Sequence, residues 1–272
     1  MRTLPRVIYC LAIVAALALG ACSGNRFRAY KRIGGFRKLE PMTLEANADK
    51  AVSSMGGRLV YTFGKASQEI CFYRDGKRVN TLGGLGFDRT SFQRLSDIGV
   101  DQDGSLLALD SALKVMRKFT PEGRLLSELK LNRLIQPELF CGNTEGNFYV
   151  YDAASSEIVC LSQFDMAEQY RFGRFVVEQP SSLACNQEYL WVYSQRLDRT
   201  CVFYLLGQFK EALEGQVAFD SFNNPVRIAD IDPGWAAKPS ALMRIDSSVV
   251  SLSDGKLLQL VELLHVGGEL AP

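Results

Sequence analysis

The sequence predicts an all-β fold, a β-propeller of four-stranded blades, and two observations support this prediction. Short apolar segments alternate with turn residues at a spacing of about 8 to 12 residues, which is typical of all-β proteins. A longer unit of about 42 residues also repeats, and four short strands in that length match one propeller blade. A single blade cannot cover both faces of its own sheet, so the blades must pack side by side around an axis.

Five copies of the repeat align through their second strand, which is the most apolar part of each unit. These strands are Leu59 to Phe63, Leu106 to Asp110, Phe148 to Asp152, Leu190 to Ser194 and Val249 to Leu252. The length of the mature chain divided by the repeat length predicts six blades. The interval before the fifth copy is longer than the others and contains "PVRIADIDPGWAAKPSALMRI", which is either a degraded blade or an insertion.

The clearest motif of the repeat is "FQRLSDIGVDQDGSLLALDSALKVMRKFTPEGRLL", residues 92–126. It contains a lead-in strand, the turn "VDQDG", an apolar strand that ends in Asp110, and then "F-x-P-x-G". In these features the units resemble the NHL-type repeats of six-bladed propellers, over roughly residues 40–265. The chain departs from that pattern at Leu95, where proline is usual, and the strand-end aspartate recurs only at Asp152. The resemblance implies a fold and leaves the activity open.

The first 21 residues have the pattern of a secretory signal peptide. Arg2 and Arg6 precede an apolar stretch from Val7 to Leu19, and small residues follow it. This stretch is shorter than the roughly 20 residues that a bilayer-spanning helix needs. The sequence therefore predicts export rather than a transmembrane helix.

The signal peptide ends in "LGAC", which resembles the lipobox of bacterial lipoproteins. The resemblance implies cleavage between Ala21 and Cys22, diacylglycerol on the Cys22 thiol, and a fatty acid such as palmitate on the new amino group. Several acyl chains anchor a protein durably, whereas a single chain is marginal. An aspartate directly after the lipidated cysteine favours retention in the inner membrane. This chain has Ser23 there, which favours the outer membrane of a bacterial envelope. The alternative is an ordinary signal peptide with an incidental cysteine.

The segment after Cys22 is basic, whereas the rest of the mature chain is net acidic. Residues 23–38 contain no acidic residue and six basic ones, which are Arg26, Arg28, Lys31, Arg32, Arg37 and Lys38. The segment is either a polybasic patch for anionic lipid headgroups or a linker that leads into a strand closing the ring. The acidic remainder argues against a nucleic-acid partner. We therefore divide the chain into signal peptide (1–21), basic tether and ring-closing strand (22–39) and propeller (40–272).

No catalytic or metal-binding constellation is recognisable, and the sequence predicts no cofactor. His265 is the only histidine, and no G-x-S-x-G motif accompanies it. Zinc sites need several Cys or His ligands, and the lyases with NHL-like folds hold their metal with several histidines. Pairs of aspartates occur in "DQDG" and "ADIDPG", and they are too sparse for calcium and suit tight turns. The aspartates are Asp101, Asp103, Asp230 and Asp232.

The five other cysteines of the mature chain follow the repeat. Cys71, Cys160 and Cys201 occupy one position of three units, and Cys141 and Cys185 share a lead-in position. Five is an odd number, so disulfides cannot pair them all within one molecule. Repeat-equivalent cysteines between apolar neighbours predict buried thiols that pack as small core residues.

One aromatic residue lies outside the repeat, in the segment "DIDPGWAAKP". Trp235 is either an interface anchor or a side chain that folds back to plug the ring. Taken together, the sequence predicts a lipid-anchored envelope propeller that binds proteins or scaffolds their assembly. The alternatives are an envelope glycan hydrolase or lyase that uses channel carboxylates, and a small-molecule sensor.

Overall fold

Antiparallel sheets formed by consecutive stretches of the chain surround a common axis in the computed structural model. The structure describes residues 31–45, 47–86, 89–238, 241–246 and 248–267, and residues 32–266 form one compact unit. The signal peptide, Ala21 and Cys22 lie outside the described residues. No helix in the described ranges is long and apolar enough to cross a bilayer.

Five blades, named A to E, contain most of the strands. The chain begins with β1 (Lys31–Lys38) and β2 (Met42–Thr43). Blade A contains β3 (Lys50–Ser54), β4 (Leu59–Gly64), β5 (Glu69–Arg74) and β6 (Lys77–Gly83), with a 3-10 turn at Met55–Gly57. Blade B contains β7 (Leu95–Val100), β8 (Leu106–Asp110), β9 (Val115–Phe119) and β10 (Leu125–Lys130). Blade C contains β11 (Pro137–Gly142), β12 (Asn147–Asp152), β13 (Glu157–Ser162) and β14 (Glu168–Phe172). Blade D contains β15 (Ser182–Cys185), β16 (Tyr189–Ser194), β17 (Arg199–Tyr204) and β18 (Phe209–Glu214).

The interval between blades D and E contains a smaller sheet. It consists of β19 (Val217–Phe219) and β20 (Pro225–Arg227), followed by the helices α1 (Ile228–Ile231) and α2 (Pro233–Ala236). β19 packs against β16 on one side and against β21 on the other. The structure therefore shows five blades, and a sixth four-stranded blade is not shown among the described residues.

The two ends of the described chain share blade E. Its strand order is β21 (Leu242–Asp246), β22 (Val249–Ser253), β23 (Leu257–Gly267) and then β1, and β2 also pairs with β23. Arg37 of β1 forms an ion pair with Glu262 of β23, and the Leu39 amide donates to the Leu260 carbonyl at 2.9 Å. The ring is thus closed by strand pairing between the N-terminal and C-terminal parts of the chain.

The position of each strand in its blade explains its composition. The second strand is covered on both faces by neighbouring blades, so all five residues of β8 are buried. The fourth strand lies at the rim, and β10 is largely exposed. The predicted second strands are confirmed as β4, β8, β12, β16 and β22.

The aspartate at the end of the second strand holds the connection from the preceding blade. The buried Asp110 carboxylate accepts hydrogen bonds at 2.8–3.2 Å from the backbone amides of Gln93, Arg94, Ala112 and Leu113. Asp152 of blade C accepts from Ile135 and Gln136 in the same way. Each carboxylate therefore fixes the chain that enters its blade.

The five cysteines of the described chain are free thiols, and the prediction of core packing is confirmed for four of them. Cys71, Cys141, Cys160 and Cys201 are buried, and Cys185 is half-buried. Burial, followed by the neighbouring Cys185 thiol, raises the pKa of Cys141. These thiols act as small apolar side chains between blades.

The alternation of strand direction gives the ring two distinct faces. Loops between first and second strands and between third and fourth strands form one face, named here the hairpin face; loop 143–146 is an example. Loops between second and third strands and the connections between blades form the opposite, connector face; loop 195–198 is an example. β1 begins at the hairpin face, because it runs antiparallel to β23.

We predict that Asp110→Ala lowers the free energy of unfolding by about 3 kcal/mol, because it leaves buried amides without an acceptor. Glu122→Ala is the control, since the Glu122 carboxylate is exposed and pairs with Arg74 at 3.3 Å, and an exposed pair contributes less than about 1 kcal/mol. Urea unfolding of both variants measures the difference. Equal stabilities of the two variants would contradict this role of Asp110.

Candidate functional site

The axial channel is the candidate site, because the first strands of the blades line it. Cavities of about 60 Å³ and about 210 Å³ lie along the axis, and Arg244 of β21 borders both of them. Charged side chains on first strands meet here. They are Lys50, Asp97, Arg244 and Asp246.

The first ion pair joins blades A and B. The Lys50 ammonium of β3 pairs with the carboxylate of Asp97 in β7, which is fully buried. Asp97 also accepts hydrogen bonds at 2.9 Å from its neighbour Ile98 and from the amide of Phe140 in β11. One carboxylate therefore connects the inner strands of blades A, B and C.

The second ion pair lies within blade E, and its carboxylate also contacts blade A. Arg244 Nε donates to Asp246 Oδ1 at 3.1 Å, and both side chains lie on β21. The other oxygen of Asp246 accepts from the Ser53 amide of β3 at 2.9 Å. Ser53 Oγ also lies 3.2 Å from Ser251 Oγ of β22, so polar contacts hold blade A against blade E.

Burial and the nearby carboxylates set the pKa values of the two channel cations. The pKa of Lys50 is lowered from 10.5 to about 8. Burial is the main cause and the nearby Arg244 adds to it, whereas Asp97 opposes both effects. Burial also opposes the charge of Arg244, but Asp246 and Asp97 outweigh burial and raise the pKa of that guanidinium. Arg244 is therefore a permanent cation, whereas Lys50 titrates within reach of neutral pH.

The channel carboxylates are engaged in structural contacts. Each of the four oxygens of Asp97 and Asp246 accepts a hydrogen bond or ion pair from the protein. A glycosidase needs a protonated carboxyl group that contacts the substrate and a second carboxylate on the other side of the scissile glycosidic bond. Two carboxylates that hold backbone amides and cations do not provide that arrangement.

His265 lies on β23 and contacts the small sheet rather than the channel. Its Nε2 is 2.9 Å from Asp220 Oδ2, and its ring packs edge-on against Phe222. Asp220 is buried and also accepts from the amides of Phe222 and Asn224 at 2.8 Å. His265 therefore has a structural partner and no nucleophile beside it.

Trp235 is buried, with 6% of its surface exposed, in the core between blade D, the small sheet and blade E. α2 folds back over this core, and the Lys238 ammonium lies 4.0 Å from the centre of the indole ring. Trp235 is thus part of the core rather than an exposed anchor. The physical reason is that the small sheet leaves apolar surface that a blade would otherwise cover.

The paired aspartates of the sequence occupy turns. Asp103 accepts from the Ser105 amide at 2.9 Å, and Lys118 pairs with both Asp101 and Asp103. Asp232 accepts from the Gly234 amide at 2.8 Å at the start of α2. Within the described ranges, no group of three or more His, Cys, Asp or Glu side chains is placed to hold a metal ion.

The channel cluster corresponds to a pattern in the first strands, although no known motif contains it. A charged residue interrupts an otherwise small or apolar first strand in "KAVSS", "LSDIGV" and "LMRID". First strands of neighbouring blades meet at the axis, so such charges must meet there too. The pairing itself depends on the ring geometry.

Comparisons with solved structures identify other propellers. Virginiamycin B lyase from Staphylococcus aureus matches with a TM-score of 0.56 and 10% identity, over 84% of this chain and 100% of that one. The Pan2 WD40 domain of Neurospora crassa matches at 0.51 and 9% identity, over 87% and 97%. These matches show the fold alone. BamB from Moraxella catarrhalis matches at 0.42 and 11% identity, over 81% and 60%, which supports no argument about function. No protein-family model and no curated protein matches the sequence.

We predict that Lys50 loses its proton near pH 8 in the folded protein. The unfolded chain keeps that proton up to about pH 10.5, so this group makes stability rise as the pH increases from about 8 to 10.5. Nuclear magnetic resonance of labelled lysines measures the midpoint. Lys118 is the internal control, because Asp101 and Asp103 outweigh its partial burial and raise its pKa. A Lys50 midpoint as high as that of Lys118 would contradict the burial of Lys50.

Proposed function

We propose that this protein is a lipid-anchored β-propeller of a bacterial envelope that binds a protein partner and scaffolds its assembly. The observation that carries the proposal is a contrast between channel and loops. The channel charges are satisfied by the protein itself, whereas the loops present bare aromatic side chains to solvent. Phe164 is 95% exposed and Phe175 is 89% exposed.

Exposed aromatics on rigid loops are typical of protein interfaces. Burial of a large aromatic side chain contributes a large share of the free energy of protein association. Leu85 and Leu206 are also largely exposed on loops, at 76% and 73%. A scaffold explains these residues, whereas an enzyme with a substrate in the channel does not require them.

An activity like that of the matched lyase has less support than a scaffold function. A variant of that lyase with one histidine replaced by alanine is described as catalytically inactive. The only histidine of this chain, His265, is bound to Asp220 and packs against Phe222 away from the channel. The channel carboxylates are likewise engaged, so neither group is positioned for hydrolysis or elimination on a glycan.

The envelope location rests on the N-terminal sequence. "LGAC" at the end of a signal peptide supports cleavage after Ala21 and acylation of Cys22. Ser23 favours the outer membrane over the inner membrane. The basic residues that follow Cys22 suit a tether close to anionic headgroups.

We predict that Cys22→Ser removes the protein from the membrane fraction and abolishes its incorporation of labelled palmitate. Amine-reactive cross-linking of intact membranes should convert the wild type into a discrete complex with another protein. Cys185→Ser is the matched control, because it changes a half-buried cysteine of the ring, and it should behave as the wild type. The scaffold function would be contradicted if the wild-type protein formed no cross-linked complex in membranes and instead degraded a glycan.

A further inference from the structure

The two faces of the ring differ in charge. Exposed acidic side chains dominate the loops of the hairpin face, and these are Asp75, Asp103, Glu122, Glu145 and Asp165. On the connector face, exposed basic side chains stand next to exposed apolar ones in sequence. Arg174 precedes Phe175 between blades C and D, and Arg196 precedes Leu197 in blade D.

Arg174, Phe175 and Arg196 border one groove between blades C and D, which Pro180, Glu138 and Glu178 also line. Glu138 lies 3.8 Å from Arg94. Arg196 lies 3.6 Å from Glu178, so its charge is compensated. Arg174 forms no ion pair with any residue that the structure describes, and its guanidinium lies 5.3 Å from the centre of the Phe175 ring. The groove therefore offers one uncompensated cation beside one uncovered aromatic ring.

The backbone holds Phe175 in this exposed position at an energetic cost. Its φ angle is +66°, in the left-handed region that favours glycine, and nine other non-glycine residues of the described chain also have a positive φ. Neither core packing nor solubility accounts for an aromatic ring that is 89% exposed in a strained turn. Such strain is typical of residues that serve binding.

Building on the proposed scaffold function, we propose that the groove between blades C and D binds an extended acidic segment of the partner protein. A carboxylate of that segment pairs with Arg174, and an adjacent apolar side chain covers Phe175. Arginine suits this role, because its planar guanidinium binds a carboxylate through two hydrogen bonds and stacks on an aromatic ring.

The shape of the site favours a protein segment over the membrane surface. Arg174 and Phe175 line a groove between loops, which accepts an extended chain, whereas a bilayer surface is flat.

The test measures binding of a fluorescein-labelled acidic peptide, GSEELFEELSG, to the full chain purified in detergent. We expect binding that Arg174→Ser and Phe175→Gly each weaken by about tenfold or more. Glycine accepts the positive φ at position 175, so Phe175→Gly should unfold at the same temperature as the wild type or a higher one. Leu126→Ser is the matched control, because Leu126 is an exposed apolar residue of the rim strand β10 outside the groove, and it should leave the affinity unchanged.

Three outcomes would overturn the proposal. The first is equal affinity for the basic peptide GSKKLFKKLSG. The second is weaker binding in Leu126→Ser but not in Phe175→Gly. The third is binding of phosphatidylglycerol vesicles through Arg174 and Phe175 in place of the peptide. The cross-linked complex separates this proposal from the scaffold function. A complex that persists in Arg174→Ser and Phe175→Gly contradicts the groove alone, whereas the absence of any complex in the wild type contradicts the scaffold function.

Discussion

The ring depends on the charged contacts at its axis, where the inner strands of separate blades meet. Asp97 binds Lys50 of blade A and the Phe140 amide of blade C, and Asp246 of blade E binds the Ser53 amide of blade A. Burying charges is costly unless each has a partner, so every member of this cluster requires the others. The same contacts that hold the blades together occupy all four carboxylate oxygens of Asp97 and Asp246.

The repeated parts of the fold could be predicted from the sequence, because burial on both faces forces a continuous apolar second strand in each blade. Asp110 and Asp152 mark strand ends for an equally local reason, since each accepts amides of the connection next to it. The cysteine positions follow the repeat as well. Residues 217–238 could not be predicted, because their structure is set by the surfaces of blades D and E rather than by a repeat. Trp235 is buried for the same reason.

The channel and the groove illustrate a further limit of sequence reasoning. Lys50 and Arg244 are far apart in the chain, and only ring closure places both of them on the axis. Arg174 and Phe175 form an unremarkable dipeptide in sequence. Their significance comes from the left-handed backbone at Phe175 and from the alternation of strand direction, which places both residues on the connector face, opposite the acidic loops of the hairpin face. The difference in charge between the two faces can therefore be recognised only after the structure assigns each loop to a face.

A double-mutant cycle on Lys50 and Asp97 tests most directly whether the channel charges hold the ring. The free energies of unfolding of Lys50→Met, Asp97→Leu and the double variant would be compared with that of the wild type. The account predicts that each single variant loses about 3–5 kcal/mol, because it leaves one buried charge unpaired, and that the double variant loses much less than the sum of the two. Additive losses would contradict the account, since they would mean that the two charges do not depend on each other.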